Sequence, residues 1–231
     1  MDHFTLLPPD ILTLLQETDT CTVSNAIETF SIRMRNEGYL QDAVQCLFSD
    51  LPPVAGYAVT ARIRTSAPPM ANLCYHERMD FWEYVAKMPS PKILVLADVD
   101  HAPGAGALIG EIHAEIGRAL GCVGCVTNGT VRDIPGLQRN GFQCFAGGVS
   151  VSHAYGHIVE FGEPVEIGGL KISAGDVLQG DRHGVHAIPR EIADRLPGAV
   201  AAIAKREAEL IALCRSPGFS LDQLRAVIER G

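Results

Sequence analysis

The sequence lacks the excess of positive charge that proteins use to hold nucleic acids by their phosphates. Its 231 residues include 27 Asp and Glu against 19 Lys and Arg, which gives a net charge of −8. A surface of this sign repels a phosphate backbone, so we expect no nucleic-acid partner.

Long apolar runs are also missing. No run reaches the ~20 residues that a membrane-spanning helix needs, and residues 1–16 lack a basic segment followed by an apolar one. We therefore expect a cytoplasmic protein without a membrane partner. Apolar residues make up 47% of the chain, enough for one well-packed core, and we expect residues 1–231 to form a single domain.

The seven cysteines are scattered and odd in number, so they do not form the pattern of a disulfide framework. Cys122 and Cys125 make one C-x-x-C pair, but they lie inside the apolar run CVGCV. No second pair of Cys or His completes a zinc site, and we interpret this run as a buried strand.

The periodicity of apolar residues predicts an α/β fold. Helices are predicted over 10–17, 23–30, 81–86, 108–120, 133–140, 197–213 and 221–229, with Thr or Ser capping the second and Ser220 the last. Strands are predicted over 55–65, 92–99, 122–127, 143–146, 165–167, 170–172, 176–179 and 185–188. In the middle of the chain a strand, a glycine-rich loop, a helix and a second strand follow one another as a β-α-β unit.

The glycine-rich stretch 104–111 is the first candidate binding segment. Its glycines let the backbone approach a ligand, and the start of the following helix favours an anion such as a carboxylate. The alternative is that glycine serves the conformation of a tight turn alone. Dinucleotide binding is not predicted, because Ile109 stands where G-x-G-x-x-G needs its third glycine.

The second candidate is the stretch 128–133, which follows a strand and ends in Arg132 and Asp133. A guanidinium can fork onto a carboxylate or an enolate oxygen, while a carboxylate can hold a hard cation. Two structural alternatives stay open. Asp133 would be only the N-cap of the next helix, and Arg132 only a surface ion-pair partner.

Four runs of the sequence, GALIGE, ALGCVGCVTNGTVRD, FAGGVS and AGDVLQGDRHGVHAIP, resemble the RraA-like family. This family contains pyruvate-releasing aldolases that act on 4-hydroxy-4-methyl-2-oxoglutarate and 4-carboxy-4-hydroxy-2-oxoadipate, and also regulators of ribonuclease E. The resemblance covers about residues 20–191. It implies a β/β/α swivelling-domain fold with helical N- and C-terminal extensions, the latter over about 197–229, and assembly as a homotrimer or hexamer.

For the aldolase branch, the resemblance implies that Asp133 ligates Mg²⁺ or Mn²⁺ directly or through water and that Arg132 contacts the pyruvyl group. The backbone amides of Ala107, Leu108, Ile109 and Gly110 would take the substrate carboxylate. The implied activity is class II aldol cleavage of a 4-hydroxy-2-oxo acid, with oxaloacetate decarboxylation as a related reaction. The alternative is a non-enzymatic regulator that binds a ribonuclease, a branch that tends to lose the acidic residue after the Arg.

Two positions depart from the family pattern. Gly136 and Asn128 stand where relatives often carry acidic residues, and we predict that Glu111 supplies part of the missing charge as a base or as a supporting group. A third stretch, 176–186, carries Asp181 and His183 in a loop that would either reach a neighbouring subunit's site or be plain solvated surface.

Overall fold

A mixed nine-stranded sheet organises the described part of the chain, residues 6–41, 44–69 and 78–229 of the computed structural model. The strands are β1 Gln45–Cys46, β2 Val54–Arg64, β3 Lys92–Asp98, β4 Ala107–Ile109, β5 Cys122–Val131, β6 Gln143–Val149, β7 His157–Phe161, β8 Val165–Ile167, β9 Leu170–Ile172, β10 Val177–Asp181 and β11 Gly184–Ile188. The helices are α1 Pro9–Glu17, α2 Thr20–Glu28, α3 Met79–Lys87, α4 Glu111–Ala119, α5 Ile134–Arg139, α6 Leu196–Arg215 and α7 Leu221–Ile228, with a 3-10 helix over Arg190–Arg195.

The central strands run parallel. The sheet order is β1-β6-β5-β3-β2-β10-β11, with β4 paired to β5 and β7 paired to β2, and β8 and β9 form a separate hairpin. Strands β2, β3, β5 and β6 are parallel neighbours, and all seven residues of β3 are buried. Since parallel strands end at one edge of a sheet, the segments that follow them meet there.

The mixed α/β architecture with helices at both ends is as the resemblance implies. Most predicted helices, and strands β2, β3, β8 and β9, begin and end within about two residues of their predicted positions. The sequence places Gly168 and Gly169 between the predicted strands 165–167 and 170–172, which predicts a tight hairpin turn, and both residues indeed have positive φ, at 52° and 76°. The cap of the second helix was predicted wrongly. That helix starts at Thr20, where the carboxylate of Asp19 accepts the N–H of Thr22.

The predicted helix over 108–120 is wrong at its start. Leu108 and Ile109 belong to β4, and α4 begins only after Gly110. The reason is that β5 continues to Val131, past its predicted end, and so provides partners for β4. A three-residue strand whose hydrogen bonds all go to a distant segment leaves no periodic pattern in the sequence.

The buried face of α4 also differs from prediction. Ile109, Ile112, Ile116 and Leu120 recur at helical spacing in the sequence, which predicts that they share the inner face of one helix, but Ile112 is 68% exposed. The helix buries His113, Ala114 and Gly117 instead. Because Ile109 lies in a strand, it does not set the phase of the helix that follows.

Helices α1, α2 and α6 pack together over one face of the sheet. Their shared core includes Leu15, Val23, Ile192 and Leu196, all buried, together with Tyr57 from β2. Helix α7 follows α6 and buries none of its residues. No helix within the described ranges is both long and apolar enough to cross a membrane.

Candidate active site

Three polar segments meet at the edge where the parallel strands end. Asp98 ends β3, Asn128 lies in the last part of β5, and Arg132 follows β5 directly. Gly110, which follows β4, lies beside them, since the N–H of Arg132 donates to the carbonyl of Ile109 at 2.9 Å. The β-α-β arrangement thus brings together both candidate stretches that were predicted from the sequence.

Asp133 has a strained backbone that turns its carboxylate toward α4. Its φ of 55° and ψ of 41° lie in the left-handed region, which costs a non-glycine residue on the order of 1 kcal/mol. One carboxylate oxygen, Oδ1, accepts from Nε of Arg132 at 3.2 Å, and Oδ2 accepts from the backbone N–H of Glu111 at 3.2 Å. The carboxylate therefore lies at the positive N-terminus of α4.

The two structural alternatives for this pair can now be assessed. Asp133 does occupy the N-cap position of α5, but its side chain makes no capping bond to that helix, so capping of α5 does not account for the carboxylate. Arg132 does form an ion pair, but with its own neighbour Asp133, and their side chains are 30% and 38% exposed. Both groups are therefore accessible to a small ligand.

Glycine is required at position 110 because Arg132 and Asp133 lie too close to its backbone to leave room for a side chain. A Cβ at this position would lie 2.5 Å from Oδ2 of Asp133 and 3.1 Å from Cγ of Arg132. Any side chain would push the carboxylate away from the start of α4. The glycine thus permits the approach of two backbone segments, as its place in the first candidate stretch suggested.

Glu111 lies beside the pair on the first turn of α4. Its carboxylate accepts from Nη2 of Arg139 at 3.2 Å and is 43% exposed. The same carboxyl group rests on Gly136, where a Cβ would lie only 2.4 Å from Cδ of Glu111. The carboxylate of Glu111 therefore occupies the space above the position at which relatives often carry an acidic residue.

The amides of 107–110 are only partly available to a substrate carboxylate. The N–H of Ala107 donates to the carbonyl of Ser152 at 2.9 Å, so the prediction that this amide binds substrate is not supported by the geometry. The side chains of Ala107, Leu108 and Ile109 are all buried in the core. Any contact of this segment with a ligand is therefore made by its backbone.

Asp98 and Asn128 were not predicted as a pair, yet they hold this edge together. Nδ2 of Asn128 donates to the carbonyl of Asp98 at 2.9 Å, and Oδ1 of Asn128 accepts the N–H of Asp98 at 2.7 Å. A carboxylate at 128 could not donate the first of these bonds. The amide at this position therefore has a clear role in joining β3 to β5.

The buried carboxylate of Asp98 fixes the loop that leads to β4. It accepts the N–H of Gly104 at 2.8 Å, the N–H of Asp100 at 3.1 Å and the hydroxyl of Thr65 at 3.1 Å. The neighbouring Asp100 accepts the N–H of Thr65 and of Ser66. Partial burial raises the pKa of Asp100, but these hydrogen bonds lower it by more, so that it lies below its ordinary value.

His153 contacts the glycine-rich segment, a position that no sequence pattern indicated. Its Nδ1 lies 2.7 Å from the carbonyl oxygen of Ala107, 46 residues away in the chain. The loop of His153 also packs closely on Gly106, where a Cβ would lie 2.4 Å from the carbonyl oxygen of His153. The loop after β6 thus forms one wall beside the site.

The loop with Asp181 and His183 lies elsewhere. Strand β10 runs antiparallel to β2 and pairs Gly180 with Val54 at the start of β2, so Asp181 lies at the opposite edge of the sheet. Within one chain this loop is therefore not part of the site that contains Arg132 and Asp133.

The donor set at the Arg-Asp pair fits a hard divalent cation bound largely by water. In the described ranges no group of three or more His, Cys, Asp or Glu is arranged to hold a metal. Mg²⁺ commonly binds through one or two carboxylates while keeping several waters. Asp133 would hold the ion directly or through water, and Glu111, whose N–H donates to Asp133, lies close by on the first turn of α4.

This fold and this site define a member of the RraA-like family, and the chain belongs to it. The family's sequence profile, described as Aldolase/RraA, matches residues 20–186. The family contains both aldolases and ribonuclease inhibitors, so membership alone does not assign an activity.

Individual relatives resemble this chain more distantly. A Halalkalibacterium halodurans protein, provisionally named 4-hydroxy-4-methyl-2-oxoglutarate aldolase, is 31% identical over 85 residues, which are 36% of this chain and 40% of that protein. The chain thus matches less than half the length of this curated relative.

Two solved structures share the fold over most of their length. An uncharacterized protein from Pseudomonas syringae pv. tomato is 22% identical with a TM-score of 0.75, covering 97% of this chain and 96% of that chain. RraAS2 of Streptomyces coelicolor, described as an unusual member of the RNase ES inhibitor RraA family, is 20% identical with a TM-score of 0.67, covering 91% and 99%. At these identities the likeness concerns the fold alone.

Proposed function

We propose that this protein is a divalent-metal-dependent aldolase that cleaves a 4-hydroxy-2-oxo acid and releases pyruvate. The observation that carries the proposal is the adjacent Arg132 and Asp133, held at the N-terminus of α4 by the bond between Asp133 and the N–H of Glu111. A cation-binding carboxylate and a bidentate donor are thereby presented side by side on an accessible surface.

The residues supply the parts that aldol cleavage needs. In a 4-hydroxy-2-oxo acid a base takes the proton of the C4 hydroxyl, the C3–C4 bond breaks, and its electrons move to the C2 carbonyl as an enolate. We assign to Arg132 the binding of the carboxylate and of the developing enolate oxygen of the pyruvyl part. A bound Mg²⁺ or Mn²⁺ would supply Lewis-acid polarisation of the 2-oxo group.

Glu111 is the group that we assign to the proton. Its carboxylate is half-exposed and lies on the turn of α4 to which Asp133 is bonded. Taking the proton from the C4 hydroxyl needs a carboxylate within hydrogen-bond reach of that hydroxyl, directly or through one water. C3 of the enolate is then protonated to give pyruvate, and C4 leaves as a carbonyl.

Gly136 supports this assignment. The family resemblance implies an acidic residue where Gly136 stands, and in this chain the carboxylate of Glu111 fills the space above Gly136. We infer that Glu111 replaces the missing acid from a neighbouring helix. The absence of a side chain at Gly136 makes room for it.

The test is whether the protein releases pyruvate in a metal-dependent reaction. A coupled assay measures the pyruvate, with 4-hydroxy-4-methyl-2-oxoglutarate and oxaloacetate as the substrates. We expect activity that a chelator abolishes and that Mg²⁺ or Mn²⁺ restores, because carboxylate oxygen suits these ions. Asp133→Asn should remove most turnover, while its amide oxygen can still accept from Glu111. Asp222→Asn on the exposed helix α7 is the matched control and should retain full activity.

Two outcomes would count against the proposal. Full pyruvate release in chelator would exclude a metal-dependent mechanism. If no oxo acid yields pyruvate at any metal concentration, while the protein binds and inhibits a ribonuclease, the regulator alternative would replace the aldolase.

A further inference from the structure

A second cavity lies at the opposite edge of the sheet from Arg132, where β2 begins. Its volume is about 240 Å³. Its walls are one face of α2, the segment of Tyr39 and Leu40, and the turn and second strand of the β10–β11 hairpin. The proposed aldolase function does not use this cavity.

The lining of the cavity is uncharged. Among the described residues that line it there is no Asp, Glu, Lys or Arg. The charged groups nearby are already bonded within the chain: the carboxylate of Asp181 accepts from Thr20 and His183, and Nη1 of Arg33 donates to the carbonyl of Ala187 at 2.9 Å. A charged ligand would therefore lose its hydration here without gaining a counter-charge, which favours an uncharged one.

His186 presents an unpaired hydrogen-bond acceptor at this cavity. The amide nitrogen of Gln179 donates to the carbonyls of Leu15 and Thr18 at 2.6 and 2.7 Å, which leaves its oxygen to face Nε2 of His186 at 2.7 Å. Nε2 must then carry the proton and donate, so Nδ1 of the neutral ring is an acceptor. Within the described ranges Nδ1 has no hydrogen-bond partner, although only 4% of the surface of His186 is exposed.

The surroundings keep the ring of His186 neutral. Burial is the main reason why the pKa of His186 is lowered to about 4; the charge of Arg33 lowers it further, and the charge of Asp181 opposes this. Near pH 7 Nδ1 is therefore an acceptor, and a buried acceptor without a partner is costly. The charge of Arg33 disfavours a cation at this atom, and a carboxylate has no proton to donate to it. An uncharged O–H group meets both conditions.

Hydrocarbon groups form much of the remaining lining. The side chains of Leu40 and Val185 and the ring of Tyr39 line the cavity, and Tyr39 is 39% exposed. Small-molecule sites commonly combine apolar walls with a few polar groups that fix the orientation of the ligand. This cavity therefore suits a compact molecule with an apolar body and one hydroxyl group.

We propose that this cavity binds a small uncharged alcohol or phenol, whose O–H donates to Nδ1 of His186 and whose hydrocarbon part packs against Leu40 and Val185. The cavity volume corresponds to roughly eight waters, which limits the ligand to one small ring. Ser24 and Tyr39 also line the cavity, and their hydroxyl groups can donate to the oxygen of the ligand.

The test uses phenol as the probe, with anisole and sodium benzoate as matched probes. Anisole carries a methoxy group that cannot donate, and benzoate carries a negative charge. Titration at neutral pH is followed by the ¹⁵N resonance of Nδ1 of His186, which is identified as the signal missing from His186→Gln. We expect phenol to shift this resonance saturably and benzoate to leave it unchanged. Anisole should bind at least about tenfold more weakly than phenol, as expected for one lost hydrogen bond.

Ser24→Phe should fill the cavity and abolish the response to phenol, with circular dichroism as the check on folding. Ala212→Phe, which adds the same ring to an exposed position of α6 outside the cavity, should leave the response unchanged. The proposal is overturned if phenol does not shift the resonance, if anisole binds as tightly as phenol, if benzoate produces the same shift, or if folded Ser24→Phe responds like the parent protein. The comparison of probes needs no variant, and none of these readouts depends on pyruvate release, so the two proposals fail separately.

Discussion

Arg132 combines a positive charge with a planar fork of donors, and substitution can separate the two. Arg132→Lys keeps the charge but cannot make two parallel bonds to a carboxylate or to an enolate and its neighbour. We expect kcat for pyruvate release to fall about a hundredfold or more, corresponding to ~3 kcal/mol of lost transition-state stabilisation, with metal affinity largely kept.

The measurement is kcat and KM for Arg132→Lys and Arg132→Ala at saturating metal, with circular dichroism as the check on folding. Arg118→Lys on α4 is the control for the substitution itself, since Arg118 lies in the last turn of that helix, away from Asp133. If Arg132→Lys keeps near-normal kcat, Arg132 contributes charge alone and loses its place in the proposed mechanism.

Gly136 tests the assignment of Glu111. In Gly136→Ala the added Cβ would lie 2.4 Å from Cδ of Glu111, so the flexible carboxylate must move while the backbone stays in place. We expect kcat to fall by about tenfold with little change in stability, since a displaced base is less effective in general acid–base catalysis. Gly198→Ala in α6, where nothing lies within 4 Å of the new Cβ, is the matched control. Unchanged kcat in Gly136→Ala would show that the position of Glu111 does not matter.

At the scale of elements, the parallel strands could be predicted from the sequence because each is a short run of apolar residues between clear breaks. Strand β4 could not, since its pairing with β5 depends on how far β5 extends. The same holds for the site. The spacing of Gly110, Arg132 and Asp133 pointed to it, but the bond from Asp133 to Glu111 spans 22 residues and the contact of His153 with Ala107 spans 46. Such contacts are set by tertiary packing and leave no local pattern.

The β10–β11 hairpin makes stability depend on pH. Burial, and to a lesser extent the charge of Arg33, lowers the pKa of His186 from 6.5 to about 4. In the unfolded chain the imidazole of His186 is protonated below about pH 6.5, whereas in the folded chain it stays neutral down to about pH 4. The stabilisation from this residue is therefore complete above pH 6.5 and is lost progressively as pH falls to 4, by an amount on the order of 3 kcal/mol.

Urea unfolding at pH 7.0 and pH 5.0 measures this effect. We expect the free energy of unfolding of the parent protein to be lower at pH 5.0 than at pH 7.0. The decrease should be smaller in His186→Gln, whose amide can still donate to Gln179. His157→Gln is the control, because His157 is more exposed than His186 and lies in β7, outside the β10–β11 hairpin. An identical pH dependence in parent protein and His186→Gln would contradict the prediction.

At the scale of the whole molecule, the surface beside the candidate site is unusually apolar. Val149, Val151 and Tyr155 are 60%, 95% and 53% exposed in the single chain, and they lie at the end of β6 and in the loop whose His153 contacts β4. Large exposed apolar side chains grouped at one place are typical of a contact surface. We propose that this surface packs against neighbouring subunits in a trimer, or in a hexamer of two trimers.

Light scattering after size-exclusion chromatography measures the mass directly. We expect the mass of a trimer of 24.8 kDa chains, or of a hexamer. Val151→Asp should shift the equilibrium toward smaller species, because it would bury a charge in the contact between subunits. Leu221→Asp on α7, an apolar position that is 70% exposed and lies outside β6 and the loop after it, is the control. A monomer at micromolar concentration, or no effect of Val151→Asp, would contradict this assembly.

The contact between Glu111 and Gly136 bears on how members of this family are recognised. Positions 111 and 136 are 25 residues apart in the chain and lie on the first turns of two different helices. A side chain at position 136 would occupy the space that the carboxylate of Glu111 fills. Under the proposed function, a negative charge can be supplied to this space from either position, and in this chain Glu111 supplies it. A search that requires an acid at one fixed spacing after Arg-Asp would discard this chain as inactive. A search that accepts an acid at either position would retain it.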